Sequence, residues 1–407
     1  MATTETAKTG LRAYPRVYFE TLMIGFSLIM GMGLVRSFLP LLASDLDPTR
    51  VLVGFVTSAW FFARAFVEIP GGLISLKIGK RRLIVIGALM GTMGSIISGF
   101  SQNIYMLIAG QAIWGCGAAL FFTCNTALIM DLFKPEARGK ALGTFQSIEF
   151  IGNFLGAPVG AALAVLMGYT NIFFVTSSLL FFAFMVAFTS RGLKHVDIQR
   201  HEIAKNVNLG NAVVSLKSWG LIATSFINLC RVLVTQGVMQ TVIQLYLKTQ
   251  LNASLEFIGL LLGLKTLGMV VATFISGHLA DKIGAKPLVI IGCMIDGACL
   301  YLYPQVSDLQ LLLLLATIDG SGTGFVSTSL IVLMSEQVPA SVRSGAVGVY
   351  RTFMDIGGII GPIIFMMVYN SLGASAPFTI ASVVIFSNIA IALVVKSTRV
   401  KSGGARH

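Results

Sequence analysis

Charge is what this chain has least of. Only 11% of its 407 residues are Asp, Glu, Lys or Arg, against 55% hydrophobic residues. So few charges cannot clothe a water-soluble surface, which excludes an ordinary soluble globular protein. Histidine is almost missing, and His195, His201, His278 and His407 all stand at or beyond the edges of apolar stretches. No metal-binding helix or nucleophile constellation can be assembled from them, so an enzyme, a metal and a cofactor are not expected. No Gly-x-x-x-x-Gly-Lys-Ser/Thr loop occurs, which leaves direct use of ATP unsupported. The cysteines, Cys116, Cys124, Cys230, Cys293 and Cys299, have neither metal-site spacing nor an extracellular framework and read as small core residues. The polar first 16 residues precede a long apolar span with no small-residue cleavage site. This predicts an uncleaved first helix rather than a signal peptide.

Long apolar runs fill the space that charge leaves. Runs of about 20 residues recur along the chain, each long enough to cross a hydrocarbon layer as a helix. They lack the alternation of a barrel strand, and only helices or closed barrels satisfy the backbone in lipid. The pattern predicts helices at 17–42, 52–73, 83–100, 104–130, 140–167 and 171–190, then at 218–247, 255–279, 287–304, 309–334, 345–370 and 376–396. The fold class is therefore an all-α membrane protein of twelve transmembrane helices in two six-helix halves. Residues 1–16 form a tail, 17–190 the first bundle, 191–217 a polar linker, 218–396 the second bundle and 397–407 a basic tail. The net charge of +12 gathers on one side of these spans, with only Arg50 and Lys248 opposite. That asymmetry is a topology signal placing both termini in the cytoplasm of a cell membrane, with no nucleic-acid partner implied.

One motif is written twice. Gly72, Lys77 and Gly79 return as Gly277, Lys282 and Gly284, each 205 positions on. The same offset joins Gly54 to Gly259, Gly115 to Gly320, Gly117 to Gly322, Asp131 to Glu336, Gly143 to Gly348, Gly152 to Gly357 and Gly156 to Gly361. Parallel six-helix repeats of this kind are an architecture of secondary transporters. On these residues the chain resembles the major facilitator superfamily, whose members carry a Gly-x-Leu-Ala-Asp-Arg/Lys-x-Gly-Arg-Lys type loop between helices 2 and 3 and often again between helices 8 and 9. The copy with Gly277, Asp281, Lys282 and Gly284 is the closer match; the first has Leu76 where the aspartate is expected. Helix 5, with Gly143, Gly152, Gly156 and Pro158, resembles the glycine-proline motif of the family's drug antiporters, and Gly348, Gly357, Gly361 and Pro362 follow it in helix 11. Small residues at these spacings also permit close helix packing. Helix 4 departs from the family's proton antiporters, because Gln111 replaces an arginine.

Charges inside a membrane each cost roughly 2.5 kcal/mol or more, so each is a functional candidate. The cations are Arg36, Arg64, Arg231, Lys265 and Arg351; the acids are Glu68, Glu149, Asp296, Asp319 and Asp355. Arg64 with Glu68 and Arg351 with Asp355 are one turn apart and can neutralise each other. Glu149 and Lys265 have no such local partner and fall near mid-depth. A desolvated carboxylate exchanges protons near neutral pH, which makes Glu149 the first candidate for proton coupling, followed by Asp319 and Glu68. Gln146, Gln236, Gln240 and Gln244 add amides to helices 5 and 7. At the cytoplasmic side, Lys77, Lys80, Arg81, Asp131, Arg138, Asp281, Lys282, Glu336 and Arg343 form a charge cluster expected to assemble when the halves meet there. Asp281 is further expected to stabilise the start of helix 5 near Arg138.

These features imply a monomeric secondary transporter embedded in lipid, moving a small molecule between two rocking halves with a proton gradient. Export of amphipathic, drug-like compounds follows from the helix 5 resemblance; transport of an organic anion follows instead from Arg231, Lys265 and Arg351. A membrane receptor or scaffold without turnover is the alternative of a different class.

Overall fold

The computed structural model describes residues 16–133, 135–194, 218–339 and 343–396. The first six long helices are α1 (Arg16–Arg36), α2 (Val53–Ile78), α3 (Lys80–Gly99), α4 (Ile104–Leu132), α5 (Pro135–Met167) and α6 (Tyr169–Thr189). The second six are α7 (Trp219–Gln250), α8 (Leu255–Ile283), α9 (Ala285–Leu302), α10 (Leu309–Glu336), α11 (Arg343–Leu372) and α12 (Ala376–Val394). Eleven of them are long and apolar enough to cross a membrane by length and composition alone. The other, α2, carries Arg64, Glu68, Pro70 and Lys77. Alternating direction puts the start of α1 and the end of α12 at one end, here the near end, opposite the far end.

The helix predicted to end at 73 runs to Ile78 and the one predicted to start at 140 begins at Pro135, and two further elements differ in form from the sequence reading. The predicted first helix, 17–42, stops at Arg36 and resumes as a short helix Leu39–Leu46. Pro40 lies in the first turn of that restart, where its missing N–H costs nothing. The helix predicted at 218–247 runs to Gln250, and Thr235–Val242 within it is wound as a π-helix. The Thr241 hydroxyl donates to the Gln236 carbonyl at 2.9 Å, five residues back.

The repeat of 205 positions is a repeat of contacts. An added Cβ at Gly87 would lie 2.6 Å from the Gly117 carbonyl; at Gly292 it would lie 2.7 Å from that of Gly322. The Arg81 guanidinium donates to the Phe188 carbonyl, and the Lys286 ammonium to that of Leu393. Gly79 and Gly284 both end a helix with φ near +90° (94° and 90°), a conformation that a Cβ disfavours. Their N–H groups close the final turns of α2 and α8 on Ser75 and Ala280. The two loop copies thus carry the same glycine for the same turn.

Between the halves, α2 packs on α11 and α5 on α8. Gly54 lies against the Pro362 and Ile363 backbone, and Gly259 against Ala157 and Pro158. Pro362 and Ala157 are themselves 205 positions apart, so the two seams are related by the repeat.

Candidate functional site

The seam between the halves is polar where it reaches mid-depth. Arg64 lies 3.5 Å from Glu68 on its own helix and 2.9 Å from Asp355 across the seam. Arg351 does not turn to Asp355 one turn along α11; it crosses to Glu68 at 3.1 Å. The expected intrahelical pair Arg351 with Asp355 is therefore replaced by a four-charge network joining α2 to α11. Two helices packed face to face bring their charged rows closer to each other than one turn of a single helix does. Asp355 is buried, whereas the Arg351 side chain is 45% exposed, so the network has a dry side and an open side.

Further toward the far end, Ser58 donates to the Ile359 carbonyl at 2.6 Å and Asn370 to that of Arg50 at 3.1 Å. Arg36, at the break after α1, donates to Gln240 of α7 and, at 3.3 Å, to Asn153 of α5. Gln244 donates to the Arg36 carbonyl at 3.5 Å. The amides of α7 are thus not a uniform lining stripe. In the π-wound stretch the four-residue spacing no longer keeps one face, and Gln240 and Gln244 are buried toward α1 while Gln236 is half-buried.

Glu149 is half-buried on α5, one turn from Asn153 on the near side, and Gln146 is exposed. Among the described residues Glu149 has no hydrogen-bond or ion-pair partner; Arg351 is the charge whose field reaches it. Lys265 is different from its expectation. It is buried and bound to Asp319 of α10, which is fully buried and also accepts from the Tyr303 hydroxyl at 3.1 Å. Facing helices supply the partner that the local sequence lacks. Arg231 donates to Asn228 at 2.9 Å on its own helix. Gln111 is buried and donates to Ser98 at 3.2 Å inside the first half, so the amide fills a structural place between α3 and α4.

Of the expected near-end charge cluster, Lys80 binds Asp131, and Arg81 binds the end of α6, both within the first half. A helix start packed beside two helix ends finds its carboxylate and carbonyls inside its own bundle. Lys77 and Lys282 are exposed and Glu336 is half-buried. The side chains of Leu76, Arg138, Asp281 and Arg343 lie outside the described residues, as do the tails 1–15 and 397–407 and residues 195–217 of the linker. In the glycine motif, Gly152 and Gly156 lie on α1 at Met30 and Gly33, while Gly357 and Gly361 lie on α7 at Leu229 and Leu233. Gly143 and Gly348 do not share that packing role: an added Cβ would meet nothing within 4 Å. Gly72 and Gly277 are similarly loose, with one ordinary contact to Thr123 at 3.6 Å and none, respectively.

A family model described as Major Facilitator Superfamily matches residues 21–235 and 224–406. The chain is 27% identical over 375 residues to a Multidrug resistance protein MdtG of Salmonella choleraesuis (strain SC-B67), covering 88% of this chain and 90% of that one. It is also 27% identical over 372 residues to the MdtG of Enterobacter lignolyticus (strain SCF1), covering 88% and 87%. Twelve helices in two repeated sets of six, and a match over almost the whole length, agree: the chain is a transporter, not an enzyme, and belongs to the Major Facilitator Superfamily.

Proposed function

We propose that the protein exports amphipathic organic compounds by alternating access, driven by protons moving inward. The moving bodies in this reading are residues 17–190 and 218–396, acting as a monomer in the cell membrane with both termini in the cytoplasm. Seams closed at the far end and open space beside Gly143, Gly277 and Gly348 near the termini suit a state open to the cytoplasm. The name of the relatives, multidrug resistance protein, supports the export of drug-like compounds.

The observation that carries the coupling is Glu149. Of the five acids within the spans it alone, among the described residues, has neither a cation nor another carboxyl in contact. An unpartnered carboxylate at mid-depth is stable when protonated and exposed when it releases its proton, so its charge state follows the side that is open. In proteoliposomes loaded with a fluorescent lipophilic cation, an imposed pH gradient should drive transport in the wild type and not in Glu149→Gln, with binding retained. Gradient-driven transport at the wild-type rate in that variant removes Glu149 from the role.

The organic-anion reading keeps one supporting observation, and it is a new one. Lys265 and Arg351 are already compensated by acids, whereas the hydrogen-bond partners of Arg36 are the neutral amides Gln240 and Asn153. An acidic group on a substrate would be drawn to Arg36, and Arg36→Gln would then weaken anionic substrates far more than cationic ones.

A further inference from the structure

The second half contains an ionisable cluster away from the seam. Lys265 of α8 binds Asp319 of α10, Tyr303 at the end of α9 donates to the same carboxylate, and Asp296 of α9 meets Asp319 carboxyl to carboxyl. All four are buried, with Asp319 at 0% exposure and Asp296 at 4%. Lys265 and Tyr303 both reach Asp319 Oδ2, while its Oδ1 is buried with no hydrogen-bond partner among the described residues; an ionised carboxylate only accepts hydrogen bonds, so a proton between the two buried carboxyls is what would satisfy that oxygen. The other groups facing the cluster are Arg231 of α7, Cys293 and Cys299 of α9 and, through Arg231, Tyr350 of α11. Arg231 is engaged by Asn228 and Tyr350, and among the described residues it forms no ion pair with either aspartate.

The first half shows that the fold does not require this cluster. At the positions 205 earlier, Lys265 is matched by Trp60, Asp296 by Gly91, Asp319 by Trp114 and Tyr303 by Ser98. The surroundings are the same: Gly115 is wedged on the Trp60 carbonyl as Gly320 is on that of Lys265. Gly91 lies beside the Trp114 ring, 3.5 Å from it for an added Cβ, as Asp296 lies beside Asp319. One copy of the scaffold fills the place with indoles, and the other with two acids and an amine. Burying charge where apolar packing serves equally well is costly, so the cluster is retained for something other than folding.

A route to the seam is present. α8 is wedged on α10 by Gly268, Gly320 and Gly324, which follow Lys265 and Asp319 along their helices. Gly259 and Gly263, just before Lys265 on the same helix, pack on Ala157 and Pro158 of the other half.

We propose that the Asp296–Asp319 carboxyl pair, held by Lys265 and Tyr303, is a second proton-binding site, and that its occupancy sets the seat of α8 on α10 and hence on α5. With the proton present the carboxyls share it and Lys265 balances the remaining charge. On its release, two carboxylates face each other and the seat loosens. The role in transport rests on the proton-coupled reading above; the proton itself does not.

The test is infrared difference spectroscopy of the purified full-length protein on raising pH. A protonated-carboxyl C=O band should be lost with rising pH in the wild type and in Glu149→Gln, and be absent when Asp296→Asn is added to Glu149→Gln, with Asp296→Glu in that background restoring it. Asp319→Asn should also lack it; if removing the counter-charge of Lys265 prevents folding, the double variant Lys265→Met with Asp319→Asn replaces it. In the Glu149→Gln background, a titrating band unchanged by Asp296→Asn and by the folded Asp319 variants overturns the site, as does a band removed entirely by Glu149→Gln alone. A wild type with the assigned band but no gradient-driven transport leaves the site standing and removes the coupling. Gradient-driven transport without the band does the reverse.

Discussion

Glu68 holds the two arginines of the seam, Arg64 at 3.5 Å along its own helix and Arg351 at 3.1 Å across. A carboxylate between two guanidiniums, with a second acid on one of them, is a network whose members cannot be removed independently. Glu68→Gln and Arg351→Gln should therefore be non-additive in thermal stability, with a coupling of about 1 kcal/mol for a half-exposed pair. Additive losses would mean that the two do not interact in solution. Asp47, in the far-end loop, is of another kind. It is buried, yet hydrogen bonds from the Thr49 hydroxyl, Leu52 N–H and Thr49 N–H hold its carboxyl below the ordinary value of 3.8. Because the folded value lies below the unfolded one, its stabilisation is complete above pH 3.8 and is lost as pH falls through the folded value. Asp47→Asn should lower the melting temperature at neutral pH and shrink that difference in strong acid; a difference independent of pH would contradict the account.

At the level of helices, the glycines divide by what lies opposite. Gly54 touches the backbone of Pro362 and Ile363, whereas Gly143 faces open space. Gly54→Ala should cost about 1–3 kcal/mol of the far-end closed state, read as greater labelling of a single cysteine introduced at the far end, while Gly143→Ala should be neutral or slightly stabilising through helix propensity. Equal effects would mean that the α2–α11 seam is not as close as described. The spacing of glycines was legible in the sequence; which ones carry contacts was not, because a Gly repeat fixes a helix face and says nothing of whether a neighbour reaches it. The π-wound stretch of α7 was similarly hidden, since Thr235–Val242 contains no proline to mark a change of winding. Pro40 marks the break after Arg36, although the apolar run read as one helix over 17–42 continues through it.

For the whole molecule, the repeat offset was the most informative line in the sequence, and it returns as matched contacts: Gly87 with Gly292, Arg81 with Lys286, Gly54 with Gly259. The identity of the membrane charges was equally plain. Their pairing was not, because Arg351 with Glu68 and Lys265 with Asp319 join residues 283 and 54 positions apart, and no local pattern encodes such partners. Two halves closed along two repeat-related seams at one end are the form that alternating access needs, with the seams parting as the near ends meet. The most direct measurement is a reversible cross-link across a seam. In a transport-competent variant lacking the five native cysteines, Thr57→Cys with Thr241→Cys, whose hydroxyls lie 3.4 Å apart between α2 and α7, should form a disulfide that stops transport, with full recovery on reduction. Undiminished transport by the fully cross-linked protein would contradict the rocking of one half against the other.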